Sequence, residues 1–172
     1  TGNLIVGDTN TANTRMEISG NHAQKFGGGI HISGGDIEIN SSCKILRNRA
    51  GYNPENAEEI IDDNGSGGAI SVTEGKINIA AGEISNNYAA KNGGAVYANN
   101  TGSTTSTIEL SGAGVYKNNS AKYGGGMYVG GNIKMTFSGS FINNKATNGG
   151  GLFLTNGAQL TITGGFLRQN RA

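Results

Sequence analysis

The 172-residue chain has one cysteine, one proline, no tryptophan and few charges, the charged residues making up 15% of it. The lone Cys43 cannot close an internal disulfide. With no metal-ligand spacing around it, its thiol reads as a small buried hydrophobe, and cysteine usage leaves the redox compartment open. No apolar run reaches the roughly 18 residues that a bilayer crossing needs, so this segment is not expected to insert into a membrane. Thirteen basic residues meet 12 acidic ones, a net charge of +1. The basic residues do not cluster along the sequence, which offers no field to hold phosphates, and a nucleic-acid partner is not expected. The opening Thr1-Gly2-Asn3 carries neither an initiator Met nor a signal peptide, and the sequence is expected to be a piece of a longer protein.

Glycine (31 residues) and asparagine (23) are in excess. The glycines do not recur every third residue, which excludes collagen. Leu, Ile, Val and Phe total 34, near the range of disordered chains, but the near-zero net charge removes the companion criterion for disorder. Half of those 34 are Ile, whose β-branched side chain suits a pleated surface. An all-β fold follows as the expectation, in one domain spanning residues 1–172.

Two motifs repeat. Gly-Gly-[Ala/Gly]-apolar occurs at Gly27–Ile30, Gly67–Ile70, Gly93–Val96, Gly124–Met127 and Gly149–Leu152. Apolar-x-x-Asn-x-Ala occurs six times, with its asparagines at Asn21, Asn48, Asn87, Asn119, Asn144 and Asn170, spaced 27, 39, 32, 25 and 26 residues apart. The base period of about 25 lies in the solenoid range. Within a unit the apolar residues alternate with period 2, as in Ile30/Ile32, Ile37/Ile39 and Ile70/Val72, so the units are built of strands. Three short strands per unit cannot bury their inner faces unless like units stack. The expected fold is a parallel β-helix solenoid of six to seven coils, right-handed by extension of the crossover rule. Paired Gly permits φ > 0 at a corner, and the small residue after it lets coils approach. The recurring Asn is expected to form a structural ladder, bonding its own turn and the Asn of the next coil. The excess spacing falls in residues 51–66 and 99–106, expected loop excursions.

Gly-Gly-Ala-apolar together with Phe-x-x-Asn is the repeat signature of the polymorphic outer-membrane protein family, which this sequence resembles along nearly its whole length. Phe141-Ile142-Asn143-Asn144 matches the second motif outright and Gly67–Ile70 the first, while other copies carry Ile, Tyr or Leu in place of Phe. The repeats are also similar to those of large adhesin-like microbial surface proteins. The resemblance implies a right-handed parallel β-helix exposed on a cell surface and used for attachment.

If the apolar residues of each first strand point inward, His31, Ser71, Tyr97, Tyr128 and Phe153 point outward in successive coils. His31, Tyr97, Tyr128 and Phe153 are therefore the candidate ligand-binding residues. An exposed aromatic stripe suits stacking on sugar rings or burial against a protein partner, and equally it can serve only to stack the coils. The excursion 51–66 holds Glu55, Glu58, Glu59, Asp62 and Asp63. Asn53 before Pro54 is expected to cap a short helix through Ile61 that buries Ala57, Ile60 and Ile61. Asp62–Ser66 lacks the spacing of a known Ca²⁺ loop, so a solvated excursion is expected. In the second strands the outward row reads Glu38, Asn78, Glu109, Thr136 and Thr161, which sets Glu38 and Glu109 two coils apart, near the separation of an inverting carboxylate pair. No cleft or neighbouring cation is expected there, and an enzyme is not. His22 and His31 are too few for zinc, and neither a metal nor a cofactor is expected. The functional expectation is a cell-surface, extracellular attachment segment for a host glycan or surface protein. Its alternatives are a passive spacer or filament unit associating end to end, and a carbohydrate-active β-helix.

Overall fold

The computed structural model describes residues 2–6, 16–40, 43–53, 55–56, 59–60, 63–100 and 108–172, except for the side chains of Gly2 and 108–111. Among the described residues there is no helix, and every strand pair runs parallel. The strands stack in three sheets that wind as a parallel β-helix. A six-stranded sheet collects the apolar-x-x-Asn segments, Met16–Ser19, Cys43–Leu46, Glu83–Ser85, Val115–Lys117, Ser140–Ile142 and Leu167–Arg168, one from each of six coils. A narrow third sheet follows it, formed by His22–Ala23, Arg49–Ala50 and Tyr88–Ala89 and continued by single bridges through Ser120, Lys145 and Arg171. A nine-stranded broad sheet completes the first five coils and also takes in Gly2–Val6.

In the broad sheet the expected separation into two strands per coil holds only in part. Ile30–Ile39 and Ile70–Ile79 are continuous ten-residue strands, whereas later coils break into pairs such as Met127–Gly130 and Lys134–Phe137. Gly34, Gly35 and Gly75 take φ of 149°, 113° and 109° inside the long strands, and the register shifts there between Ile32 and Asp36. These glycines bend the strand as a bulge does, keeping the ladder on either side of the bend.

The core is the stack of inward residues. Ile45, Ile70, Ile84, Val96, Phe141 and their neighbours are almost wholly buried, each contributing about 1.5–3 kcal/mol against an exposed side chain. Tyr116, Phe137 and Phe141 pack as an internal aromatic trio with ring centroids 4.7–5.6 Å apart.

The Asn corner is a ladder. The Oδ1 atoms of Asn48, Asn87, Asn119, Asn144 and Asn170 each accept two bonds from the Asn one coil earlier, one from its backbone N–H and one from its Nδ2, at 2.9–3.1 Å. Each of these Nδ2 groups also donates to a backbone carbonyl, Ile18, Ile45, Ile84, Tyr116 and Phe141 in turn. Those carbonyls belong to the preceding coil, so the amide ties neighbouring coils where the sequence suggested a bond within its own turn. At the Gly-Gly corner the expectation also shifts by one residue. The first glycine has φ of 60–72° in all five copies, and the second makes the tightest approach to the neighbouring coil: a Cβ on Gly68 would collide with the carbonyl oxygens of Gly94 and Tyr88.

The excursion after Gly51 is not helical in its described part. Asn53 Oδ1 accepts from Glu55 N–H, Asn53 N–H donates to Glu59 O, and an antiparallel bridge joins Tyr52 to Ile60. The asparagine closes a local turn in competition with a helix start, and Ile60 is exposed, not buried as expected. Pro54, Ala57, Glu58, Ile61 and Asp62 lie outside the described residues, as does most of the second excursion, 99–106.

Candidate functional site

The outward residues of the first strands align as their alternation requires. His31 lies opposite Ser71, Ser71 opposite Tyr97, Tyr97 opposite Tyr128, and Tyr128 opposite Phe153. Parallel coils in register bring like positions within stacking distance. The Tyr97 and Tyr128 rings stack with centroids 5.3 Å apart, and Tyr128 and Phe153 at 5.5 Å with only 15° between planes. All four candidate residues thus belong to one column.

Two further rings join it that the sequence did not reveal. Phe26, at the corner before Gly27, stacks on His31 at 5.6 Å and on Tyr97 at 6.1 Å. It fills the level of the second coil, where Ser71 is too small to reach its neighbours. Beneath it Ser71 is wholly buried, and its hydroxyl has no hydrogen-bond partner. At the other end Tyr123 leans on Phe153 at 5.4 Å, with Lys122 Nζ 5.7 Å from its ring centre. The signal for both was their place immediately before a Gly-Gly corner, which sets them beside the first strand.

The exposed stripe expected from the sequence is corrected at its centre. Tyr97 is only 7% exposed, because Phe26 and Tyr128 cover its two faces. Its hydroxyl accepts from Asn99 Nδ2 at 3.0 Å. Burial pushes the Tyr97 phenol above its ordinary pKa against the opposing effect of the Asn99 bond, and burial, with Tyr97 nearby, does the same for Tyr128. Both hydroxyls therefore stay protonated at neutral pH. Ring faces inside the column are occupied by other rings, and what it offers outward is edges and hydroxyls, with Phe26 40% exposed. Shallow recesses of about 250 and 310 Å³ flank the strand Gly2–Val6; Leu4 and Asp36 line both, Glu38 the first, and His31 and Ser33 the second.

The carboxylate row is also corrected. Glu38 lies opposite Asn78, which in turn lies opposite Ser111, while Glu109 lies opposite Lys76 on one side and Lys134 on the other. Glu38 and Glu109 thus occupy different rows. No group of three or more potential metal ligands occurs among the described residues. There, too, no helix is long and apolar enough to cross a membrane. Cys43 is buried, and burial pushes its thiol up.

The repeat model of the Chlamydia polymorphic membrane proteins matches residues 16–33 and 82–99. Both segments run from the strand before the ladder Asn, through the Asn and the Gly-Gly corner, into the first strand of the broad sheet. The repeat belongs to outer-membrane, surface-associated proteins, which supports a cell-surface setting in general. Neither the curated proteins nor the solved structures gave a match to the chain.

Proposed function

We propose that this chain is a non-enzymatic segment of a cell-surface β-helix that attaches to a host glycan or surface protein through its lateral aromatic column. The observation that carries the reading is the column itself: His31, Phe26, Tyr97, Tyr128, Phe153 and Tyr123 stack in one line across five coils on a solvent-facing sheet. Such a column is rigid, so few side-chain rotamers are lost when a partner covers its edges. Because ring faces are shared within the column, the ligand meets edges and phenol hydroxyls, which favours a protein surface or the rim of a sugar over face-on stacking.

A passive spacer is the second reading, favoured by the burial of Tyr97. The two separate with Tyr128→Ser combined with Phe153→Ser, which leaves Tyr97 in place. Attachment predicts that the folded double variant loses adhesion to host cells, with only a modest drop in Tm. Adhesion undiminished in that variant would rule out the column as the contact.

A further inference from the structure

The third sheet and the corner after it gather charge that the sequence order hides. One column there runs His22, Arg49, Tyr88, Ser120, Lys145, Arg171. The alanines that follow the middle four, Ala50, Ala89, Ala121 and Ala146, are buried, so the column points outward. The adjoining corner stacks Lys25, Gly65, Lys91, Lys122 and Thr147 through backbone bonds such as Lys91 N–H to Gly65 O and Thr147 N–H to Lys122 O. Across the two columns every one of the six coils supplies one cation: Lys25, Arg49, Lys91, Lys122, Lys145 and Arg171, six of the 13 basic residues. Neither column contains an acid. Glu17 and Glu83 sit on the six-stranded sheet, paired with Arg47 and Lys117, and Asp36, Glu38 and Glu109 on the broad sheet. Among the described residues only the excursion brings acids near, and it is rooted between Arg49 and Lys91: the Arg49 guanidinium lies 5.2 Å from the Tyr52 ring centre, and Lys91 Nζ donates to Asn64 Oδ1 at 2.6 Å. Lys122, Lys145 and Arg171, all exposed, make the run that faces solvent.

We propose that this ridge binds a linear acidic polysaccharide laid along the solenoid axis. Successive cations are spaced by the coil repeat, about 4.8 Å, and a pyranose in an extended chain advances by much the same distance, so one anionic group per sugar or per disaccharide stays in step with the coils. Tyr88 and Ser120 within the column add an aromatic ring and hydroxyls between the charges, the mixture a sugar chain meets well. Duplex nucleic acid, with one charge per ~1.7 Å of axis, would leave most phosphates unmatched by a ridge one cation wide. An anionic bilayer favours a broad basic face with apolar side chains to insert, and this ridge is neither. The proposal takes only its cell-surface setting from the attachment reading above and uses a different face.

The test is the affinity of the 172-residue chain for size-defined heparin oligosaccharides at low salt, compared with Lys122→Gln/Lys145→Gln/Arg171→Gln and with Lys44→Gln/Lys76→Gln/Lys134→Gln, which removes the same charge from other faces. The expected result is a loss of about tenfold or more in the first variant and little change in the second, with binding that weakens as salt rises. Lys122→Arg/Lys145→Arg should retain the affinity, which separates charge from a folding defect. Tyr128→Ser/Phe153→Ser should not alter heparin binding, so failure of the ridge and failure of the column are read separately. Absence of heparin binding, equal loss in both Gln variants, or equal affinity for duplex DNA or phosphatidylserine vesicles would overturn the proposal.

Discussion

Asn144 Oδ1 accepts both the backbone N–H and the side-chain Nδ2 of Asn119, each at 3.0 Å, and both residues are fully buried. One oxygen therefore satisfies two donors of the neighbouring coil, and the Asn144 amide in turn reaches Tyr116 O at 2.9 Å. Asn144→Ala orphans two donors and takes the side-chain donor from the Tyr116 carbonyl, in a place water does not reach. A loss of at least ~3 kcal/mol is expected in urea unfolding, since each buried unsatisfied group costs about 1–3 kcal/mol. Asn156 has positive φ and lies at an exposed turn outside the ladder. Asn156→Gly, which respects that backbone, should be nearly neutral. Similar losses at the two positions would contradict the ladder's role.

The residue before each ladder Asn is left-handed: Gly20, Arg47, Asn86, Asn118, Asn143 and Gln169 have φ of 54–66°. Asparagine and glycine tolerate that region, and Arg does not. Arg47→Asn is expected to stabilise by about 1 kcal/mol, because the ion pair it gives up, 3.6 Å to Glu17 on an exposed surface, contributes little. Gly20→Asn should be neutral, since a Cβ there meets nothing within 4 Å. Thermal unfolding of the two variants is the check, and a fall in Tm for Arg47→Asn would count against backbone strain at the corner.

Gly68 has ordinary φ, so its role is purely steric. Gly68→Ala drives a methyl into the carbonyl oxygens of the next coil, and a destabilisation of about 1–3 kcal/mol or failure to fold is expected. Retention of the wild-type urea midpoint would show that the coils can spread at no cost.

Glu83 accepts from Lys117 Nζ at 2.8 Å and from Ser85 Oγ at 2.7 Å. Burial pushes its carboxyl up, but those two bonds and the charges of Lys117 and Lys44 outweigh it and leave the pKa lowered. A lowered carboxyl pKa adds stability that is complete above the ordinary carboxylate range and lost as pH falls through the folded value. The site is partly exposed, so the effect is small. Lys117→Met should flatten the acid limb of the stability profile, and an unchanged limb in urea titrations below pH 5 would exclude this pair as its source.

Ser71 keeps a buried hydroxyl without a partner under the Phe26 ring. Ser71→Ala removes the unmet group at almost no loss of volume, and a gain of up to ~1 kcal/mol is expected. A measured loss would mean the hydroxyl has a bond that matters.

The sequence was legible wherever a motif fixed phase. Gly-Gly ahead of each first strand sets which residue starts it, so the row His31, Ser71, Tyr97, Tyr128, Phe153 follows from counting, and the ladder asparagines likewise. The second strands lacked such a marker. Leu110 pairs with Ile77, and Gly112 with Ile79, whereas alternation alone set Ile108 and Leu110 against Ile77 and Ile79. A slip of two residues keeps every side chain on its proper face, so period 2 cannot detect it, and Glu109 was misplaced for that reason. Phe26 escaped because its ring reaches one coil beyond its own. The basic ridge escaped because its cations fall one, three or four residues after the Asn in different coils, dispersed in sequence and adjacent only after coiling.

The ladder has a direction. In every Asn-to-Asn bond the earlier coil gives the donors and the later coil brings the acceptor, so a coil that has just closed presents two amide groups waiting for one oxygen still to arrive. A chain that winds from its N-terminal end therefore checks each new turn against a single atom: a turn docked one residue out of register leaves two buried donors empty, while the length of chain spent on the way around is not inspected. That tolerance allows 39 residues between Asn48 and Asn87 where 25 suffice between Asn119 and Asn144, since lengthening a loop costs only a logarithmic entropy. New surface can thus be inserted between any two rungs while the winding stays in register.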